Sequence, residues 1–375
     1  MAFKQSNQSP RVAIVCDWLT NVGGAEKVLL SIHQLYPSAP IYTSKYDPRG
    51  IDWFKDADVR TGWLQIFPTK LRRLLAPLRQ IYFNHLDLSN YDLIISVTGA
   101  EAKSVKKGTA KHLCYCHVPT QYYWQMYDYY LKNPGFGILD PVVRSFLKLL
   151  VKPLRHADFK AAQKPDQFIT ISTYAAEQIR RYYKREAAII PPPVAVENFS
   201  TVRRAQAPTT FINFSRQVTW KRLDLIVKAC LQTKQPLILI GDGPEHQNLV
   251  NLAHNSPLIT FLPPMDQAGL QKQLSAAKAF IFPSLEPFGI APIEALAAGC
   301  PVIAYQFGGA ADYIKSGQNG LLFESQTVSS LSQAIRTFEQ SKFSTAKIKQ
   351  SALFYSDQRF KDSILELVAE TKNAD

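Results

Sequence analysis

Two glutamates eight positions apart, Glu286 and Glu294, bracket the run Pro-Phe-Gly-Ile-Ala-Pro-Ile. Eight residues are slightly more than two helical turns, so with Glu294 inside a helix Glu286 falls in the loop at its N-terminus. Phe288, Gly289 and Ile290 then offer free backbone amides, while both carboxylates accept hydrogen bonds from hydroxyls, a set suited to a sugar. A cationic group precedes them: Arg216 and, five residues on, Lys221 beside Arg222. From a strand end and the next helix start these side chains can reach one diphosphate, arginine through a planar fork and lysine as a point charge. The plainer alternative is a solvated basic helix start. Near the beginning, Gly23 and Gly24 open an apolar helical run, where a glycine turn exposes amides to a phosphate or serves only as a tight turn. Gly241 and Gly243 follow another strand-like run, but the third glycine of a dinucleotide fingerprint is missing.

His117 comes directly after the run KHLCYC. A lone histidine is usually a core or capping residue; its place after a strand end points instead to a donor that orients a ligand rather than to a nucleophile. Cys114 and Cys116 stand just before it without a second ligand pair, so no metal is expected there. The five cysteines are odd in number and embedded in apolar runs, which suits buried thiols better than a disulfide framework.

The elements that carry these groups follow from the hydrophobic pattern. Apolar, β-branched runs alternate with helical segments: RVAIVCDWL, PIYTSKY, YDLIISVT, KHLCYCHV, DQFITIS and AAIIPPP in the first half. TTFINFS, PLILIGDG, LITFLPP, AFIFPSL, PVIAYQFGG and GLLFES continue the pattern in the second. Such alternation predicts parallel sheets with right-handed crossovers, hence two doubly wound α/β units, in which ligands bind beyond the carboxyl ends of the strands. With 375 residues, two domains are expected. The prolines at 191–193 and the polar stretch 201–210 place the boundary between a domain at 1–195 and one at 207–356. Phe360, Ile364, Leu365 and Val368 have helical spacing and predict an amphipathic helix over about 357–375.

The net charge of +13 is uneven: residues 1–190 hold 26 Lys and Arg against 15 Asp and Glu, residues 191–375 hold 17 against 15. In the first half Lys70, Arg72, Arg73 and Arg79 interleave with leucines, as do Arg144, Lys148, Lys152 and Arg155. Basic amphipathic helices of this kind lie either on an anionic membrane surface or against a core with a solvated face; together with the charge imbalance they favour peripheral membrane contact. Tyr122 and Tyr123, within an aromatic tract, offer stacking platforms for acceptor sugars. No run approaches the roughly 18 apolar residues of a spanning helix, and the polar start lacks a signal-like apolar core, so a cytoplasmic location is expected. A pI near 9.4 raises nucleic-acid binding as an alternative, yet that leaves Glu286 and Glu294 unexplained, and nucleic acid is not expected as a partner. A dehydrogenase is disfavoured by the incomplete glycine fingerprints.

The segment from Glu286 to Glu294 resembles the E-x7-E signature of family 4 glycosyltransferases, which have the GT-B fold: two Rossmann-like domains facing across a cleft. The likeness runs along nearly the whole chain, through GGAE at 23–26, His117-Val118-Pro119, SRxxxxKR at 215–222, GDGP at 241–244, the EPFGIAPIEALAAGC segment from 286, and Phe307-Gly308-Gly309. This resemblance implies a retaining transfer from a nucleotide sugar. Gly23 and Gly24 would lie beside the donor diphosphate and the acceptor; Arg216 and Lys221 would neutralise the diphosphate without a metal. Glu286 would bind donor-sugar hydroxyls, the amides of Phe288 to Ile290 the sugar and phosphate, Glu294 the ribose, and Phe261 and Leu262 the base. Pro263 and Pro264 stand where the family often has glycine. The run from His117 to Trp124 resembles members that transfer mannose from GDP-mannose to lipid-linked glycans.

Overall fold

The computed structural model of the chain describes residues 10–69, 74–135, 137 and 140–373. Lys70, Arg72 and Arg73 therefore lie outside the described residues. The chain divides into two compact units, one made of residues 1–192 with 361–375 and one of residues 193–360.

The first unit begins with β1 (Val12–Cys16) and α1 (Gly24–Leu35), followed by β2 (Ile41–Thr43) and β3 (Val59–Thr61). It continues through α2 (Ala76–His85), β4 (Leu93–Thr98), β5 (Lys111–Cys116), α3 (Tyr127–Lys132) and α4 (Asp140–Ala161) to β6 (Gln167–Thr170), α5 (Thr173–Tyr183) and β7 (Ala187–Ile189). The strands form one parallel sheet in the order β3-β2-β1-β4-β5-β6-β7, with Ile14 of β1 in register with Ile41 and Ile95. Every residue of β1 and β4 is buried, as expected of a parallel sheet covered on both faces. The strand β3 was not legible as an apolar run. It is a three-residue edge, Val-Arg-Thr, with two exposed positions, so pairing to β2 and not hydrophobicity defines it.

The second unit repeats the plan. After the short α6 (Glu197–Ser200) come β8 (Thr210–Phe214), α7 (Leu223–Thr233), β9 (Leu237–Ile240), α8 (His246–Ala253), β10 (Ile259–Leu262) and α9 (Gln267–Ala276). The chain then forms β11 (Ala277–Phe282), α10 (Ile290–Ala297), β12 (Val302–Tyr305), α11 (Ala310–Tyr313), β13 (Gly320–Phe323), α12 (Val328–Glu339) and α13 (Thr345–Ala352). All six strands are parallel, in the order β10-β9-β8-β11-β12-β13. Its core joins Phe211, Ile226, Leu239, Ile281 and Ile303 to Leu331 and Ile335 of α12. The last helix, α14 (Asp357–Asn373), buries Phe360, Ile364 and Val368, while Leu365 is largely exposed.

All five cysteines are buried free thiols. Burial, the largest influence, pushes Cys114 up to about 12, which leaves it a thiol at neutral pH. No helix among the described residues is long and apolar enough to cross a membrane.

Two ionic clusters are enclosed in the first unit. Lys103 and Asp158 meet at 2.6 Å with both side chains essentially inaccessible. Asp158 also accepts from Thr120 Oγ1 at 2.9 Å, Tyr183 OH at 2.8 Å and Trp124 Nε1 at 2.7 Å, so its lone pairs are satisfied. In the other cluster Arg79 Nε donates to Glu101 at 2.8 Å, and the Tyr122 hydroxyl donates to the same carboxylate at 2.5 Å. Removing one member of such a buried pair leaves an uncompensated charge, at a cost of about 3–5 kcal/mol. Asp158→Ala is expected to lower unfolding stability by about that amount in urea titration, and Lys103→Met in the same chain is expected to restore part of it.

Candidate active site

In the second unit the groups picked out by sequence stand where β8 and β11, the two central strands, release their chains. Past β11, Pro283 to Gly289 lead into α10, with Gly289 at its N-cap. Gly289 has φ +98°, and a Cβ there would lie 2.6 Å from Phe282 Cζ, so this entry requires glycine. The turn at Phe307, Gly308 and Gly309 clasps the loop: Gly309 N donates to Glu286 O at 2.8 Å, and a Cβ on Gly308 would meet the same oxygen at 2.5 Å. Tyr313 of α11 donates to Phe288 O at 2.9 Å. These contacts hold the Glu286 backbone.

The Glu286 side chain receives two hydrogen bonds on Oε1, from Lys221 Nζ at 2.6 Å and from Ser284 Oγ at 2.6 Å. Both members of the ion pair are mostly buried, and Lys221 also sits 4.8 Å above the Trp220 ring. Sequence reading assigned Lys221 and Glu286 to different parts of one ligand; the fold makes them immediate neighbours. Arg216 is exposed in the loop after β8. Beneath that loop Gln217 is wholly buried, donating to Gly241 O at 2.9 Å and lying 2.8 Å from His246 Nδ1, which ties the Gly241 to Pro244 turn to the Arg216 loop. Glu294 lies on α10, one helical turn beyond Ile290, and is partly exposed. At the end of β10 Leu262 is half-buried, while Phe261 packs on the core and edge-on to His246 at 5.6 Å. Ser284, Gln217 and Tyr313 were missed by sequence reading. Ser284 stands two residues before Glu286, on the same side of an extended segment, which was the one available signal.

The first unit carries a second group at the carboxyl edge of its sheet. Gly23 is the extended N-cap of α1, and Gly24 is exposed at the helix start. The Glu26 carboxylate folds back under Gly23, where a Cβ would lie 2.8 Å from its Oε2. His117 follows β5, anchored through its amide to Thr98 O at 2.9 Å, with its ring edge-on to Tyr115 at 5.4 Å. Its Nε2 is buried without a hydrogen-bond partner, and desolvation lowers the imidazole to about 4, so it is neutral at pH 7.

Two expectations are corrected here. Arg79 does not contribute to a solvent-facing basic surface: it is 3% exposed, pairs with Glu101 and stacks 4.9 Å over Trp18, while its apolar neighbour Ile81 is 50% exposed. A buried carboxylate drew the arginine inward, inverting the helix face that periodicity suggested. Tyr123 is buried, its hydroxyl 3.4 Å from Glu101, so its ring is closed to a sugar; Tyr122, half-buried, donates to Glu101.

Residues 194–353 match the family model described as glycosyl transferases group 1. This segment is thus similar to group 1 glycosyltransferases, and the two parallel-sheet, Rossmann-like units have the fold of GT-B proteins. The chain is 24% identical over 199 residues to the uncharacterized glycosyltransferase YqgM of Bacillus subtilis (strain 168), covering 50% of this chain and 55% of that protein. It is 25% identical over 229 residues to the GDP-mannose-dependent alpha-(1-6)-phosphatidylinositol monomannoside mannosyltransferase of Mycobacterium tuberculosis (strain CDC 1551 / Oshkosh), covering 54% and 56%. The chain thus spans about half the length of the curated relatives it matches. Among solved structures, the lipopolysaccharide outer core galactosyltransferase WaaB superposes with a TM-score of 0.71 at 16% identity, over 96% of this chain and 99% of that one.

Glu286→Ala removes the shared acceptor of Lys221 and Ser284 near the surface and leaves the backbone clasp intact. Release of nucleoside diphosphate from a nucleotide sugar is expected to drop at least about 100-fold, the loss typical of a positioned polar group, with the melting temperature nearly unchanged. His117 gives a pH signature. Its folded value of about 4 lies below the usual 6.5, so between these values the unfolded chain binds the extra proton. Stability is full above about pH 6.5 and falls as pH drops toward 4. His112, buried and lowered to about 3, acts in the same sense. Melting temperatures from pH 7 to 5 are expected to decline, less steeply in His117→Gln.

Proposed function

We propose that this chain is a retaining, family 4 glycosyltransferase that moves a hexosyl group, mannose from GDP-mannose, onto a lipid-linked glycan in surface polysaccharide or glycolipid synthesis. The observation that carries the reading is the Lys221–Glu286–Ser284 cluster beside the N-terminus of α10. It sets a cation, a carboxylate and helix-start amides side by side, as a sugar joined to a diphosphate requires. Lys221 and Arg216 balance the charge that builds on the departing diphosphate, a role that needs no metal. Glu286 and the amides of Phe288, Gly289 and Ile290 orient the sugar, Glu294 binds the ribose, and Leu262 borders the base. Gly23, Gly24 and His117 serve the acceptor and donor sugar from the first unit.

Retention follows from a front-face displacement. The bond from the anomeric carbon to the diphosphate oxygen breaks, the acceptor oxygen bonds to the same face, and the departing phosphate oxygen takes the acceptor's proton. Catalysis then rests on positioning and on electrostatic stabilisation of the leaving group. GDP-mannose is supported by the His117 to Trp124 run and by the similarity to a protein named as a GDP-mannose-dependent mannosyltransferase. A peripheral position at the inner face of the cell membrane is supported by the exposed cations Arg144, Lys148 and Lys152.

Thermal stabilisation by GDP-mannose, GDP, UDP-glucose, UDP-N-acetylglucosamine, UDP and NAD, without added metal, tests the reading. Selective stabilisation by the two guanine nucleotides is the expected result. A response to uridine nucleotides alone would replace the donor and keep the class, and silence from every nucleotide sugar would overturn the function.

A further inference from the structure

The first unit encloses a cavity of about 440 Å³ between α4 and the carboxyl edge of the sheet, within the range of small-ligand sites. Its walls are chiefly hydrocarbon. Leu147, Leu150 and Leu154 of α4, at helical spacing, face Trp18, Leu29 and Val118. The polar groups that border it are concentrated where β1, β4 and β5 end. Among them Asp17 accepts from Thr98 Oγ1 and from the amides of Gly99 and Ala102, and Arg79 and Tyr122 share Glu101, so these are committed within the fold. His117 also lines the cavity, and its Nε2 is buried without a hydrogen-bond partner. An apolar chamber whose polar lining gathers toward its sheet end fits an amphiphile, not a free sugar.

The outer side of α4 indicates where such an amphiphile comes from. Val142 and Leu149 are 68% and 74% exposed, and Phe146, which also lines the cavity, is 49% exposed. Arg144, Lys148 and Lys152 stand exposed among them. A helix with apolar residues on both its inner and its outer sides, the outer ones set among cations, matches an anionic lipid surface. Phe146 belongs to both sets, so the cavity opens beside that strip.

We infer that this cavity takes the hydrocarbon chain of an anionic membrane lipid, the acceptor of the proposed transfer, with its polar head at the His117 end. The inference rests on the proposed function for the word acceptor; binding of the chain stands without it.

The full protein is titrated by calorimetry with hexyl, octyl, decyl and dodecyl phosphate below their micelle thresholds. Kd is expected to fall about fourfold per added methylene over the shorter chains, then level off when the cavity is full. Decyl phosphate brominated near its chain end is expected to quench tryptophan fluorescence, with most of the effect lost in Trp18→Phe. Leu150→Trp, which fills the chamber, is expected to abolish the length dependence while stabilisation by a nucleotide sugar persists. Affinity independent of chain length, inorganic phosphate binding as well as the alkyl series, or quenching unchanged in Trp18→Phe would overturn the inference. Donor binding without chain binding sinks this inference alone, and chain binding without donor binding sinks the proposed transferase alone.

Discussion

Every paired strand in both sheets runs parallel, so each crossover must return the chain to the same end of the sheet before the next strand can start. The loops that follow the strands therefore leave at one edge, and the helices that follow those loops present their N-termini there. That constraint, not any single contact, decides where chemistry can be built. In the second unit it delivers the Arg216 to Lys221 loop after β8 and the Pro283 to Gly289 loop after β11, two strands that are hydrogen-bonded neighbours. Groups 65 residues apart in sequence thereby reach hydrogen-bond distance.

Convergence places the loops, but glycine and proline set their final path. The Gly308-Gly309 turn and Gly289 let backbone approach backbone around Glu286 at separations that a side chain would forbid. The Glu286 side chain then enters its contact with Lys221 and Ser284 from a fixed backbone. A loop held this way loses little freedom on binding a ligand, which favours affinity and orientation together.

The first unit solves a different problem. It carries most of the positive charge of the chain, yet two of its cations, Arg79 and Lys103, are enclosed and matched by Glu101 and Asp158. Those pairs brace α2, α4 and the tyrosines around the apolar chamber. Other cations stay outside, among them Arg144, Lys148 and Lys152 on α4, beside exposed apolar residues.

What could be read from the chain alone was whatever depends on local periodicity and short spacing. Twelve of the thirteen strands among the described residues correspond to the apolar, β-branched runs of the sequence, and the residues after them included Glu286, Lys221, Gly23 and His117. The edge strand β3 escaped because its pairing, and not its hydrophobicity, makes it a strand. Tertiary structure alone decided which charged and aromatic side chains turn inward. The partner of Arg79 lies 22 residues away and that of Lys103 lies 55 away, and a buried ion pair forms only where both desolvated groups meet with their hydrogen bonds satisfied. Helical spacing carries no trace of such a partner, so Arg79 and Tyr123 read as surface residues and are core. The cavity behind α4 belongs to the same class of fact: spacing shows that Leu147, Leu150 and Leu154 share a face, and only packing reveals that the face borders a chamber.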